Sequence, residues 1–421
     1  MARRLVLHGV PPVDFNLISP AFKANPYPAF SWLRTNAPVY QINMQGDRPA
    51  WIISRYEDVD TVLKDQRFVK NVRNALSPEE LSQKFPWVQP DPQQQQQSGN
   101  AFLSHHMLNF DPPDHTRLRS LVNLSFTPRL VEQWRERIQA ITDELLDAVQ
   151  ERGEMELIGE FAFPLPMMVI TEMLGVPTVD RMRFRTWSNQ VVEASGNFEA
   201  FQDLRESLRE FRNYLSDLIA QKSKQPSEDL LSKLIRTEAE GEKLTEEELI
   251  AMVFLLLVAG HETTVNLIGN GVLALLQYPD QLEKLKQDPS LIKSAVEEFL
   301  RYQGPLITAT QRWLSEDVEM GGQLLRRGDQ VLVLLASANR DDQRFADAEG
   351  LDITREENHH LAFGKGIHFC LGAPLARLEG QIAIGTLLRR MPHLNLAIDP
   401  QDLVWRPGML IMGVNNLPVT F

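Results

Sequence analysis

The chain has 421 residues, 43% of them hydrophobic, and its 43 basic against 56 acidic side chains give a formal charge of −13. An apolar fraction of this size builds an extensive core and excludes disorder as a description of the whole chain. The acid excess disfavours a nucleic-acid partner, since phosphate binding rests on Lys and Arg.

A lone cysteine, Cys370, rules out an internal disulfide and removes any need for an oxidising compartment. The opening residues, Met1-Ala2-Arg3-Arg4-Leu5-Val6-Leu7-His8, lack the apolar run of a signal peptide or anchor. The longest apolar stretch, Leu249 to Gly260, is twelve residues, short of the roughly 20 that cross a bilayer. A cytoplasmic protein without membrane attachment is expected.

Residues 1–24 read as an N-terminal extension. Val39-Tyr40-Gln41-Ile42 and Ala50-Trp51-Ile52-Ile53 alternate as a hairpin joined around Gly46-Asp47, and a short helix follows from Tyr56 to Asp65. Residues 70–108 carry five consecutive glutamines, 93–97, among Pro, Ser, Gly and Asn. This composition predicts a flexible loop.

From Asp114 to Arg301 the pattern is mostly helical, with apolar residues at three-and-four spacing over 128–151 and 198–222. The segment 245–277 opens on a capping-box pattern, Thr245 with Glu248, and runs uninterrupted to Pro279. Being apolar nearly all round, it predicts a buried central helix of about 33 residues and some 50 Å. A helix of that length argues for one domain, 1–421, built around it. Strand character returns over 309–337, with turns at Gly321-Gly322 and Gly328-Asp329. Residues 340–362 are structureless, and a helix from Ala373 to Arg390 follows a Gly-rich loop.

That loop is Phe363-Gly364-Lys365-Gly366-Ile367-His368-Phe369-Cys370-Leu371-Gly372. An isolated cysteine ordinarily serves as a small buried hydrophobe. Here glycines free the backbone to bring N–H groups towards the sulfur, and the next helix sets its positive end nearby. Both effects favour thiolate over thiol. Zinc would need further ligands, for which only His359, His360 and His368 are close in sequence; a single thiolate on an axial position of an iron porphyrin fits better.

The loop resembles the haem-binding signature of the cytochrome P450 superfamily in its bacterial form, matched at every fixed position. The resemblance implies a mainly α fold with small β-sheets, a single triangular-prism-like domain around the long central helix, and haem b as cofactor. Cys370 would be the proximal iron ligand, with Phe363 shielding its sulfur and Gly364 and Gly372 completing the 363–372 haem-ligand loop. The segment 70–108 would be the substrate-access loop.

Within the central helix lies Ala259-Gly260-His261-Glu262-Thr263-Thr264. A zinc-protease reading of His-Glu fails because position 265 is Val. Gly260 in mid-helix costs about 1 kcal/mol relative to Ala, and Glu262-Thr263 interrupts a buried face, a breach of local rules that suggests a site. The Thr263 hydroxyl is expected to bond back to the Ala259 carbonyl. The motif is similar to the superfamily's acid–alcohol pair, which makes Thr263 the hydroxyl beside bound dioxygen, Glu262 the acid that delivers protons, and Ala259 a haem contact.

Glu298 and Arg301 stand three apart on one helix face; they resemble the superfamily's structural Glu-x-x-Arg pair, with Arg355 of Asp352-Ile353-Thr354-Arg355 as its third member. His115 and Arg119, after Asp111-Pro112-Pro113-Asp114, are similar to the motif that binds haem carboxylates, joined by Arg312 and His368. Likeness to the family extends to Trp405-Arg406-Pro407-Gly408.

The implied activity is a haem-thiolate monooxygenase that hydroxylates or epoxidises a largely apolar small molecule: a macrolide, terpenoid, fatty acid or xenobiotic. Leu255 and Ala259 share the Thr263 face, and by family position Ile307 and Met412 complete the substrate pocket. One cysteine cannot hold an iron–sulfur cluster. Electrons therefore come from a ferredoxin or flavodoxin with an NAD(P)H-dependent reductase, docking on a basic face of Lys365, Arg377, Arg389 and Arg390 of a monomer. A peroxide-driven peroxygenase and a non-catalytic haem-based ligand-binding protein are the alternatives.

Overall fold

The computed structural model describes residues 15–44, 48–85, 101–180, 183–184, 186–187, 190, 205–239 and 241–421. Its axis is the helix Glu246–Gln277, 32 residues long. Thr245 Oγ1 accepts from the Glu248 N–H at 3.2 Å and the Glu248 carboxylate accepts from the Thr245 N–H at 2.9 Å. This reciprocal cap, with three glutamates in the first turn, satisfies otherwise orphaned donors and complements the helix dipole. The helix ends at Tyr278, where Pro279 starts the next one.

Helices Pro164–Met173, Ile292–Gln303 and Ala373–Arg390 pack against it, and its residues from Leu249 to Phe254 and from Thr264 to Leu275 are buried. The helix is long and apolar enough to cross a membrane, yet it is the core element of this fold. One continuous apolar cluster draws on residues from Leu17 to Val419.

The expected hairpin is present, with Val39–Met44 antiparallel to Arg48–Ile53 and Val39 opposite Ile53; its turn at Gly46-Asp47 lies outside the described residues. It extends into a five-stranded sheet: Gln330–Val333 runs parallel to Arg48–Ile53, and Arg312–Leu314 and Phe68–Val69 complete it. Arg312 is thereby fixed on a strand. Helices Tyr56–Lys64 and Ala373–Arg390 match the sequence reading closely, and 340–362 holds no helix or strand.

Three expectations are corrected. The segment 70–108 is not one loop: Ser77 and Glu80 form a capping box that starts a helix over Pro78–Lys84, while the glutamines 93–97 lie outside the described residues. Residues 335–338, read as strand, form a helical turn. The described part of the 1–24 extension is anchored, because helix Pro20–Ala24 carries Lys23 into the interior. There its Nζ donates to Arg406 O at 2.7 Å and Ile411 O at 2.5 Å.

Candidate active site

Two glycines shape the cysteine loop. Gly364 and Gly366 have φ of +67° and +70°, where L side chains are strained, and a Cβ on Gly366 would meet Leu63 O at 2.6 Å. The loop therefore rests directly on the end of helix Tyr56–Lys64. The Cys370 N–H donates to Phe363 O at 2.9 Å, and Gly372 leads into helix Ala373–Arg390. The Phe363 ring meets Phe369 edge-on at 6.3 Å and lies 4.5 Å beneath the Arg377 guanidinium.

Burial raises the Cys370 thiol pKa, while the Gly372 and Ala373 N–H groups and the charges of Arg119 and Arg377 pull it down. The loop N–H groups act in the expected direction, but burial outweighs them. They offset part of the desolvation, and a bound cation has to supply the rest. Among the described residues no three His, Cys, Asp or Glu side chains gather around a metal position, in keeping with a single-thiolate site.

On the central helix, Ala259 is exposed and Leu255 and Thr263 are half-buried, although the flanking turns are buried. One face therefore lies open at mid-helix. Thr263 Oγ1 donates to Ala259 O at 2.8 Å, as expected, and Thr264 Oγ1 does the same to Gly260 O at 3.1 Å. Glu262 is buried. Its Oε1 is ion-paired with Arg406 Nη1 and lies 3.3 Å from Asn266 Nδ2, and its Oε2 is 3.6 Å from His261 Nε2. Sequence reasoning missed the Arg406 contact, since nothing local links residues 144 positions apart.

It also missed Glu379. This side chain is buried on helix Ala373–Arg390, neither carboxyl oxygen has a hydrogen-bond partner among the described residues, and burial pushes its pKa up to about 8.

The four expected carboxylate ligands converge. The His115 and His368 rings lie with centroids 4.3 Å apart and planes tilted by 58°, and neither nitrogen of buried His115 has a hydrogen-bond partner among the described residues. His368 is pushed down to about 2 by burial and by the charges of His115, Lys70, Arg312 and Arg119; Arg312, buried on its strand, is lowered to about 10 by desolvation. Asp111 is the acid that acts on Lys70, Arg312 and His115. Its carboxylate already accepts from Lys70 N at 2.7 Å, Asn71 N at 3.0 Å and Asn74 Nδ2 at 2.7 Å. Buried like charges are stable only with a counter-ion, so this chemistry fits the two carboxylates of a haem.

The scaffold triad forms as expected, with Glu298 and Arg301 buried and Arg355 half-buried. Glu298 pairs with Arg301 at 2.7 Å and with Arg355 at 3.1 Å. Arg301 also donates to Asn339 O, Ala348 O and Gly350 O at 3.0, 2.8 and 2.7 Å, tying the irregular stretch to helix Ile292–Gln303.

Of the expected pocket residues, Leu255 and Ala259 are on the open face, whereas Ile307 and Met412 are fully buried and present no surface to a ligand. Unanticipated is an apolar cavity one turn earlier on the same helix, lined by Phe184, Trp187, Phe211, Phe254, Leu257 and Val258; its aromatic residues are scattered in sequence and carry no motif. The expected basic docking face is largely neutralised. Lys365 pairs with Asp60 at 3.0 Å, Arg377 with Glu297 at 2.7 Å, and Arg390 with Asp143 and Asp147 at 3.2 and 2.5 Å. Arg389 is exposed.

The family model described as Cytochrome P450 matches residues 8–403. The polyketide biosynthesis cytochrome P450 PksS of Bacillus subtilis is 44% identical over 403 residues, covering 95% of this chain and 96% of that protein. Cytochrome P450 monooxygenase PikC of Streptomyces venezuelae is 45% identical over 413 residues, covering 97% and 94%. Among solved structures, myxobacterial cytochrome P450 CYP267B1 in complex with myristic acid superposes with a TM-score of 0.87 at 43% identity, covering 96% of this chain and 98% of that one. With its cysteine loop, acid–alcohol helix and buried cation cluster in one fold, the chain belongs to the cytochrome P450 family, as a haem-dependent monooxygenase.

Proposed function

We propose that the chain oxygenates a bulky, largely apolar acyl or macrolide-type molecule over a haem held through Cys370. His115, Arg119, Arg312 and His368 would receive its carboxylates. When bound, haem supplies an iron site at which a substrate C–H, dioxygen, two electrons and two protons yield C–OH and water.

The protein's part is positional. Leu255 and Ala259 offer a small apolar surface, so an uncharged substrate group rests there without desolvating a polar side chain. The Thr263 hydroxyl, held on the Ala259 carbonyl, would hydrogen-bond to oxygen species on the open face, and the Glu262 carboxylate would relay protons towards it. Arg406, partly exposed where Glu262 is buried, links that acid to solvent.

The observation that carries this reading is the open face at Leu255, Ala259 and Thr263 in an otherwise buried helix, within a fold that also gathers unpaired cations around His115 and His368. Apolar Leu255 and Ala259 on that face support an apolar substrate. So do the relatives: one structure holds myristic acid, and another relative is named 6-deoxyerythronolide B hydroxylase.

Electrons would come from a small ferredoxin or flavodoxin with an NAD(P)H-dependent reductase in the cytoplasm, to a monomeric enzyme. Exposed Ile367 and Phe369, flanking His368 on the loop, support a docking contact that is apolar as much as ionic. The test is spectroscopic. Reduced protein under carbon monoxide should give a thiolate-type Soret band, and long-chain fatty acids or macrolactones should shift the ferric spin state. A histidine-type band, or a spin state unmoved by either class, would overturn the reading.

A further inference from the structure

Lys23 belongs to none of the motifs above. It sits on helix Pro20–Ala24 with no exposed surface, and its Nζ donates to Arg406 O at 2.7 Å and to Ile411 O at 2.5 Å. Both carbonyls belong to one strap of chain, residues 405–414. It is closed by the Trp405–Val414 bridge and by the Arg406 N–H, which donates to Gly413 O at 2.9 Å. The strap is seated on the central helix. Asn270 Nδ2 donates to Met412 O at 2.9 Å, and a Cβ on Gly413 would fall 1.7 Å from Asn266 Oδ1, so glycine is what permits the approach.

Arg406 is thereby clamped from two sides. Its carbonyl is held by Lys23 on the N-terminal helix, and its guanidinium is ion-paired with Glu262 on the central helix. Asn266 Nδ2 also lies 3.3 Å from Glu262 Oε1, but it makes its shorter bond, 2.7 Å, to the Glu262 carbonyl. The placing of the guanidinium therefore decides the environment of the acid. Lys23 pairs with no carboxylate among the described residues, and burial and the Arg406 charge hold its pKa down to about 8. A buried ammonium on neutral oxygens is costly, and methionine would fill the same space without that cost. What the ammonium adds is geometry: two carbonyls of one strap converge on a single group with several donors, which fixes the bend between them.

We propose that Lys23 is a positioning residue for proton delivery, holding the bend between Arg406 and Ile411 so that Arg406 stays seated on the acid that supplies Thr263. The inference rests on the reading of Glu262 and Thr263 as the proton path. It gives the N-terminal segment, remote in sequence from every motif, a part in the reaction.

The test uses holoenzyme and has two readouts. The first is the coupling between Arg406 and Glu262 in urea unfolding, from the cycle of Arg406→Met, Glu262→Gln and the double variant. Repeated on a Lys23→Met background, that coupling should fall to less than about half, whereas Lys23→Arg, which keeps a charged donor, should hold it. The second is turnover of myristic acid with a ferredoxin and its NADPH-dependent reductase. Lys23→Met should lower kcat about 5- to 10-fold with KM within about twofold, and should raise the solvent isotope effect, since a misplaced acid slows proton transfer and not binding. On a Glu262→Gln background the same substitution should change kcat by less than about 1.5-fold. Undiminished coupling in Lys23→Met overturns the assignment. Equal slowing on both backgrounds also overturns it, because Lys23 would then serve only the packing of the strap. Where Lys23→Met fails to fold, Lys23→Gln carries the same cycle with one carbonyl still held. A Glu262→Gln enzyme that turns over like the parent would instead sink the reading of Glu262 as the acid, and the coupling cycle, which needs no substrate, then decides for Lys23 alone.

Discussion

Glu379→Gln probes a buried acid with no charged partner among the described residues. With no charged partner acting on it, the Glu379 carboxyl is raised by burial from an ordinary 4.5 to about 8. In the unfolded chain it ionises near its ordinary value, whereas in the folded protein it stays protonated to about pH 8. Between those limits the native state binds the extra proton, so stability falls as pH rises, by about 1.4 kcal/mol per pH unit. Across the whole window that is on the order of 4–5 kcal/mol, and below the lower limit the loss vanishes. Glutamine is nearly isosteric and does not titrate. Its second amide donor, placed where the carboxyl oxygens have no hydrogen-bond partner, adds a cost that is the same at every pH. The difference between variant and parent is therefore a straight slope on a constant offset. In thermal unfolding of holoenzyme followed by circular dichroism from pH 5 to 8, Glu379→Gln should gain on the parent by roughly 1–2 °C per pH unit. Parallel Tm curves for the two proteins would refute the claim that this acid is neutral in the fold.

Glu298→Gln leaves Arg301 buried against a neutral side chain and should cost about 3–5 kcal/mol, read as a lowered urea midpoint with haem lost in the same transition. Arg406→Met strands the buried Glu262 carboxylate and should destabilise by about 3 kcal/mol; adding Glu262→Gln should recover most of that loss in a double-mutant cycle, and strict additivity would mean that the pair is not coupled. Because Lys365, Arg377 and Arg390 are paired with acids, reduction by a ferredoxin should slow less than about threefold between low and physiological salt, as measured by stopped flow. A steep salt dependence would restore the basic docking face.

What could be read from sequence was whatever is written locally. The capping box at Thr245, the stop at Pro279, the Thr263–Ala259 bond and the Glu298–Arg301 spacing all depend on residues within one or two helical turns, and each appears in the fold as expected. The helix at 78–84 had an equally local signal, Ser77 with Glu80, obscured by the polar composition of its surroundings. Arg406 on Glu262, Lys23 on the 406–411 segment and Lys70 on Thr310 were invisible for the opposite reason. Each is a single cation meeting a distant backbone or acid, and a single cation in a sequence looks the same whether it ends on the surface or in the core.

Burial then separates scaffold from site by a criterion no motif supplies. Glu298 and Arg301 are buried and Arg355 half-buried, both guanidiniums pair with the one Glu298 carboxylate, and most donors are spent, as a structural knot requires if it is not to cost more than it contributes. His115, Arg312 and Lys70 are buried and His368 half-buried, the neighbouring cations hold His368 well below its ordinary pKa, and neither ring nitrogen of His115 has a hydrogen-bond partner among the described residues. Folding alone cannot favour that arrangement. The missing counter-charge has to arrive with a ligand, and its sign and position call for two carboxylates on the side of Cys370 where Arg119 also acts on the sulfur. The same test sets the face around Lys365 apart: Lys365, Arg377 and Arg390 already have acids from the chain, so a partner's charge adds less there.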